Sequence, residues 1–182
     1  MIKTILVPVT GCETDVAALS AALSVARMFG AHLDVLHVRL DTIEAAVAMT
    51  ADAGGGGALA PGLIEQLERE VRDCEAKAQQ LFGDFCTSES LDILIDPAAR
   101  TEKPSAQWHV ETGQEPRWVA AYGMTADLTV ASRGGADDAA ARAALEAVLL
   151  ETGRPLLIPS ASAVIAEKIA IAWKPTPQAA RA

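Results

Sequence analysis

Apolar positions along this chain alternate between two periods. Ile2 to Val9 is a short apolar run rich in β-branched residues, which predicts a strand buried on both faces. Thr10, Gly11, Cys12, Glu13, Thr14 and Asp15 then form a polar turn, with Thr14 and Asp15 as candidate helix N-caps. Val16, Leu19, Leu23 and Ala26 recur at helical spacing, and Gly30 supplies a C-terminal stop. His32 to Val38 predicts a second strand. Strand, helix and strand in such close succession imply a crossover, which makes the two strands parallel.

Residues 41–62 read as a mobile loop because Gly54, Gly55, Gly56 and Gly57 stand together there. The clearest helix follows, from about 63 to 86. Ile64, Leu67, Val71, Cys74, Ala78, Leu81 and Phe85 alternate three and four apart, which places Cys74 in a core stripe as a small apolar residue. Asp96 to Pro104 is irregular, and Ser105 to Glu111 predicts a third strand. Thr112 and Gly113 turn into a short helix with Pro116 at its first position. Asp127 to Ser132 predicts a fourth strand, and Arg133, Gly134 and Gly135 turn into a helix from about Asp138 to Thr152. Gly153 and Pro155 end that helix, and Leu156 to Pro159 predicts a fifth strand. The expected fold is α/β: a five-stranded, parallel, doubly wound sheet with helices on both faces.

Composition narrows the class. The 182 residues suit one such domain with a little over. A hydrophobic fraction of 51% supports a buried core, and only 4% aromatics favours helices packed on a sheet over a β-sandwich. A formal charge of −9 argues against a nucleic-acid partner. The absence of any basic amphipathic segment, or of a run near ~18 apolar residues, argues against a membrane one. The N-terminal apolar run is too short for a signal segment and is closed by Pro8. Cys12, Cys74 and Cys86 are odd in number and lack metal-pair spacing, so they read as reduced thiols of a cytoplasmic protein.

The last residues repeat the first. Lys168 to Ala182 parallels Lys3 to Ala22: a basic residue, an apolar strand, a polar turn and an Ala-rich helix start. The expected organisation is a domain over 1–160, then a linker and the first strand of a truncated second copy over 161–182.

The ordered motifs carry a family resemblance. Ile5-Leu6-Val7-Pro8-Val9-Thr10-Gly11, then Gly30-Ala31 closing a helix and a strand ending in His37-Val38, resemble the universal stress protein family. Glu111 to Pro116 is similar to its Glu-Gly-x-Pro turn, Ala126 to Val130 to its Ala-Asp-Leu-Ile-Val strand, and Arg154 to Pro159 to its closing strand. The resemblance spans about residues 1–160, and the tail is similar to the start of a second domain in tandem members. ATP-binding members place a Gly-x-x-Gly loop after the fourth strand, then Gly-Ser or Gly-Thr about nine residues on. Such a loop offers phosphates backbone N–H groups, a hydroxyl and a helix N-terminus. Here Ser132 replaces the first Gly of that loop, Gly135 survives, and Glu146 and Ala147 stand where Gly-Ser is expected. Thr10 replaces the family's acidic residue after the first strand, while Pro8 and Val38 are retained. Asp137, Asp138 and Glu146 would set like charge against a triphosphate.

The resemblance therefore implies a stress-response protein that is not an enzyme. It is expected to be a regulatory or assembly half-domain with a degenerate nucleotide loop and no cofactor. Its partner would be a second copy, paired as a homodimer through the Leu156 to Pro159 edge, or a second universal stress protein domain. The alternative is an ATP/AMP-binding switch using Pro8, Thr10, Val38, Ala131, Ser132 and Gly135. The remaining chemistry is sparse. Cys12 lacks the arginine that a phosphatase loop places six residues on, Ala18 standing there, and reads as an ordinary turn cysteine, a reactive thiol at a helix start being the lesser alternative. His32, His37 and His109 are scattered without ligand spacing, the first two on opposite faces of one strand. Arg133 reads as a solvated arginine, and Trp108 and Trp118 as packing residues. No NTPase loop, dinucleotide fingerprint or hydrolase nucleophile context is present.

Overall fold

The structure, a computed structural model, describes residues 2–52, 62–96, 101–134 and 139–160. The elements are β1 (Thr4–Pro8), α1 (Thr14–Phe29), β2 (His32–Arg39), α2 (Thr42–Asp52), α3 (Leu63–Glu89), β3 (Asp92–Ile93), β4 (Ser105–Thr112), α4 (Glu115–Thr125), β5 (Leu128–Val130), α5 (Ala139–Ala147) and β6 (Leu156–Leu157). A π-helical turn, Val148–Thr152, continues α5. The sheet runs β3-β4-β2-β1-β5-β6 and every pairing is parallel. It has six strands where five were expected. The addition is β3, two residues held by pairing Asp92 with Ser105 and Ile93 with Ala106.

Alternation along β1 and β2 decides which helices cover which face. Ile5, Val7, Leu33 and Val35 meet Leu19, Leu23 and Ala26 of α1 and Phe82 and Phe85 of α3. Leu6 and Leu36 point the other way, onto Val119 of α4 and Ala144 of α5, with Val148 of the π-helical turn. Both faces are therefore covered, as a doubly wound parallel sheet requires. Leu6, Leu19, Leu33 and Leu36 are at most 1% exposed, and each such burial is worth about 1.5–3 kcal/mol.

Several local expectations are revised. The start of the segment read as a loop over 41–62 is helical: Asp41 Oδ1 accepts from the N–H groups of Ile43 and Glu44 at 3.0 Å each, which caps α2. Gly54 to Gly57 lie outside the described residues. Thr14 and Asp15 are not N-caps but lie inside α1, which begins after Glu13 without a side-chain cap. Val16 is exposed rather than in the core. Gly30 does end α1, in the left-handed region at φ 61°. Pro116 is the second residue of α4. Cys74 is not a core residue: α3 buries Ala78, Phe82, Phe85 and Cys86, so its N-terminal half projects past the sheet. The repeat over residues 161–182 and the turn residues Gly135, Asp137 and Asp138 lie outside the described residues. Among the described residues, no helix is long and apolar enough to cross a membrane.

Candidate functional site

In this strand order, β1 pairs with β2 on one side and β5 on the other, so the chain changes direction of winding at β1. Crevices at such a switch point, outside the C-terminal ends of the strands, are where doubly wound sheets hold ligands. Pro8 and Thr10 follow or end β1, Val38 lies near the end of β2, and Ala131 and Ser132 follow β5. The topology therefore brings five of the six sequence-derived candidates to one end of the sheet. Gly135, the sixth, lies outside the described residues.

Four of them, Pro8, Thr10, Ala131 and Ser132, line one narrow space, and Thr10, Val38 and Ser132 also line wider cavities. Thr10 and Val38 line a cavity of about 260 Å³ with Val9, Leu67, Val71 and Cys74, and Glu70 and Glu115 also border it. Ser132 lines a second cavity of about 560 Å³, bordered by Glu13, Thr14, Arg133, Ile158 and Pro159. Between them, where Pro8, Thr10, Ala131 and Ser132 converge, the space is only about 20 Å³, roughly the room one water needs. Ala144, Leu145 and Val148 fill this junction from one side, and Asp15 and Glu115 also border it.

Asp15 organises the turn. Its Oδ2 accepts from the N–H groups of Thr10 at 2.8 Å, Gly11 at 2.8 Å and Cys12 at 3.1 Å. The side chain is 1% exposed, and its Oδ1 has no hydrogen-bond partner among the described residues. Burial pushes the carboxyl above its ordinary range, and the three N–H donors only partly oppose that. The sequence marked Asp15 as a helix cap; its reach back into the turn was not read.

Among the described residues, the acids bordering the junction are Asp15 and Glu115. Glu146 is exposed, because Ala141, Ala144, Leu145 and Val148 form the inward face of α5 and its continuation. Arg133 is exposed, in line with a solvated arginine.

The histidines are less scattered than their spacing suggests. His32 and His37 do point to opposite faces: His37 Nδ1 meets the Val9 carbonyl at 3.0 Å and its ring stacks on Trp108, while His32 Nδ1 meets Ser105 Oγ at 2.7 Å. His109, however, joins His32 on Asp34, whose Oδ1 stands 3.2 Å and 3.4 Å from their respective Nε2 atoms. Register permits this meeting, since β4 sets His109 beside Leu36, diagonal to Asp34 on the same face. Nearby, Tyr122 donates to Glu111 at 2.8 Å; burial and then that bond push the phenol up to about 12. Among the described residues no cluster of His, Cys, Asp and Glu is placed to hold a metal ion. Trp108 packs on Phe82, and Trp118 donates to the Thr112 carbonyl at 2.9 Å, so both serve packing.

Comparison with known proteins agrees with this geometry. Among solved structures, the universal stress protein UspA from Lactobacillus plantarum superposes with a TM-score of 0.59 at 16% identity, covering 87% of this chain and 98% of that one. The hypothetical protein MJ0577 gives 0.54 at 15% identity, covering 87% and 96%. A universal stress protein from Archaeoglobus fulgidus gives 0.50 at 15% identity, covering 88% and 100%. At these identities the likeness speaks for the fold. None of the curated proteins compared with the chain matches it. The model of the universal stress protein family matches residues 1–151, and the chain belongs to that family.

Proposed function

We propose that this chain is a non-catalytic component of a stress response, a regulatory or assembly half-domain whose nucleotide loop has degenerated. The observation that carries the reading is the closed junction between Pro8 and Ser132. Among the described residues, the space where Pro8, Thr10, Ala131 and Ser132 converge is only about 20 Å³. Typical small-molecule sites occupy about 300–1,000 Å³. Two further features support it. The N–H groups of the turn after β1 are already taken by Asp15, and Asp15 and Glu115 put negative charge beside the gap.

The partner in this reading is a second copy or a second domain of the same family, such as the one that residues 161–182 would begin. Among the described residues, β6 has a sheet neighbour only on its β5 side, and Leu149, Leu150 and Ile158 are exposed beside it. Pairing there would cover N–H and C=O groups along the edge. A reducing, cytoplasmic setting agrees with three free cysteines.

One observation favours the alternative, an ATP/AMP-binding switch. The cavity bounded by Thr10 and Val38 has Val9, Leu67 and Val71 for walls, a lining that suits a flat base. Titration calorimetry with magnesium ATP, run beside light scattering, separates the two. No heat together with a dimer mass is expected. Micromolar binding would replace the half-domain reading with the switch, and a monomer at high micromolar concentration would remove the homodimer.

A further inference from the structure

Two cysteines distant in sequence stand on backbone segments that touch: Cys12 in the turn after β1 and Cys74 on α3. Cys12 is exposed in that turn, and Cys74 is exposed on α3, where it lines the cavity of about 260 Å³. The backbone segments that carry them are locked together. Cys74 Sγ donates to the Thr10 carbonyl at 3.0 Å. Gly11, at φ 88°, presses on α3 so closely that a Cβ there would stand 3.2 Å from the Cys74 carbonyl oxygen and 3.1 Å from the Ala78 nitrogen. Burial first, and then the nearness of Cys12, push the Cys74 thiol up. Cys86 is different, buried in the C-terminal half of α3 with its thiol pushed up to about 11 by desolvation.

We infer that Cys12 and Cys74 form a peroxide-responsive pair that closes to an intramolecular disulfide between the β1 turn and α3. The exposed Cys12 sulfur attacks hydrogen peroxide; an S–O bond forms, the O–O bond breaks, and water leaves, giving a sulfenic acid. The Cys74 sulfur then attacks that sulfur; the S–S bond forms, the S–O bond breaks, and the departing hydroxide takes the Cys74 proton as water. In sum, two thiols and one peroxide give one disulfide and two waters. Cys12 reacts first because it is exposed in the turn, whereas the Cys74 thiol is engaged in its bond to the Thr10 carbonyl. Cys74 is the resolving partner, and Cys86 stays reduced. The crosslink would fasten one wall of the cavity to the turn that borders it. The inference stands whether or not that cavity takes a nucleotide.

The test treats the reduced full chain with excess hydrogen peroxide, alkylates remaining thiols under denaturing conditions, and maps peptides without reduction. The expected result is a molecule lighter by two hydrogens before alkylation, a Cys12–Cys74 linked peptide, alkylation at Cys86 alone, and reversal by dithiothreitol. Cys74→Ser should stop at a Cys12 sulfenic acid captured by a dimedone probe, and Cys12→Ser should leave Cys74 free to alkylate. Both positions are exposed, so serine is compatible with the fold. A Cys12 that ends as sulfinic acid while Cys74 stays alkylatable would overturn the pair. So would linkage between two molecules, or no loss of thiols.

Discussion

Replacing Asp15 with alanine removes the acceptor that gathers the turn after β1. The Thr10 and Gly11 N–H groups, each 2.8 Å from Oδ2, are partly buried, while Cys12 is exposed and can turn to water. A hydrogen bond to a charged group contributes about 1.5–3 kcal/mol, so the first two together contribute about 3 kcal/mol. Removing a desolvated carboxylate returns part of this, leaving a net loss of about 2 kcal/mol. Asp15→Asn keeps an oxygen for the same donors and should fall within about 1 kcal/mol of the native chain. Urea unfolding reads the difference directly. With a slope of about 2 kcal/mol/M, alanine should lower the midpoint by about 1 M and asparagine by less than half of that. The pH dependence supplies a second readout. Because the folded carboxyl lies above the model value of 3.8, its contribution is full below that value and declines as pH rises through the folded pKa. Asparagine does not titrate, so the variant should gain on the native chain over that window. Alanine within about 0.5 kcal/mol of native, or asparagine as costly as alanine, would refute the view that hydrogen bonding to Asp15 sets the turn.

Two further predictions concern other parts of the fold. Asp127 accepts from the N–H groups of Lys3 at 2.7 Å and Thr4 at 3.1 Å, and the Lys3 bond leads in holding its carboxyl below the usual range. Its stabilising contribution is therefore present above 3.8 and lost as pH falls through the folded pKa. Asp127→Asn should lose less stability than the native chain as pH falls below 3.8 through the folded pKa, and equal acid sensitivity would contradict the assignment. A Cβ on Gly123 would lie 2.7 Å from Thr152 Cγ2, and Thr152 is fixed by its hydroxyl bond to the Val148 carbonyl. Gly123→Ala should cost about 1–3 kcal/mol by overpacking. Thr152→Ser deletes that methyl and keeps the hydroxyl, so the double variant should recover much of the loss; simple additivity in thermal unfolding would argue against the contact.

Periodicity made the frame legible because each prediction concerned which face of an element is apolar. The apolar run of β1, read as a strand buried on both faces, and the helical spacing of Leu19, Leu23 and Ala26 agree with the two packed layers. Periodicity does not say whether a neighbour covers that face, and so Cys74 was misread. Its stripe is real, but the sheet ends before the N-terminal half of α3. The two-residue β3 carries too little pattern to be seen alone and exists because β4 offers it an edge. In the segment over 41–62, four glycines outweighed Asp41, whose capping role began a helix. At the candidate site, the ordered motifs named residues that the fold brings to one end of the sheet. Two things were hidden: the reach of Asp15 into the turn depends on backbone geometry, and the meeting of His32 and His109 on Asp34 depends on strand register.

The central position of β1 also orders events in time. As the chain leaves the ribosome, β1 meets its β2 neighbour early; the contact between His37 and the Val9 carbonyl spans only 28 residues. Its other flank must wait far longer, because the Lys3 to Asp127 bond spans 124. Until β5 emerges, one side of the innermost strand is open to any passing strand, and contacts this distant in sequence form slowly. A nascent chain stalled before β5 should therefore hold a partly formed β1-α1-β2 unit that needs guarding by a chaperone.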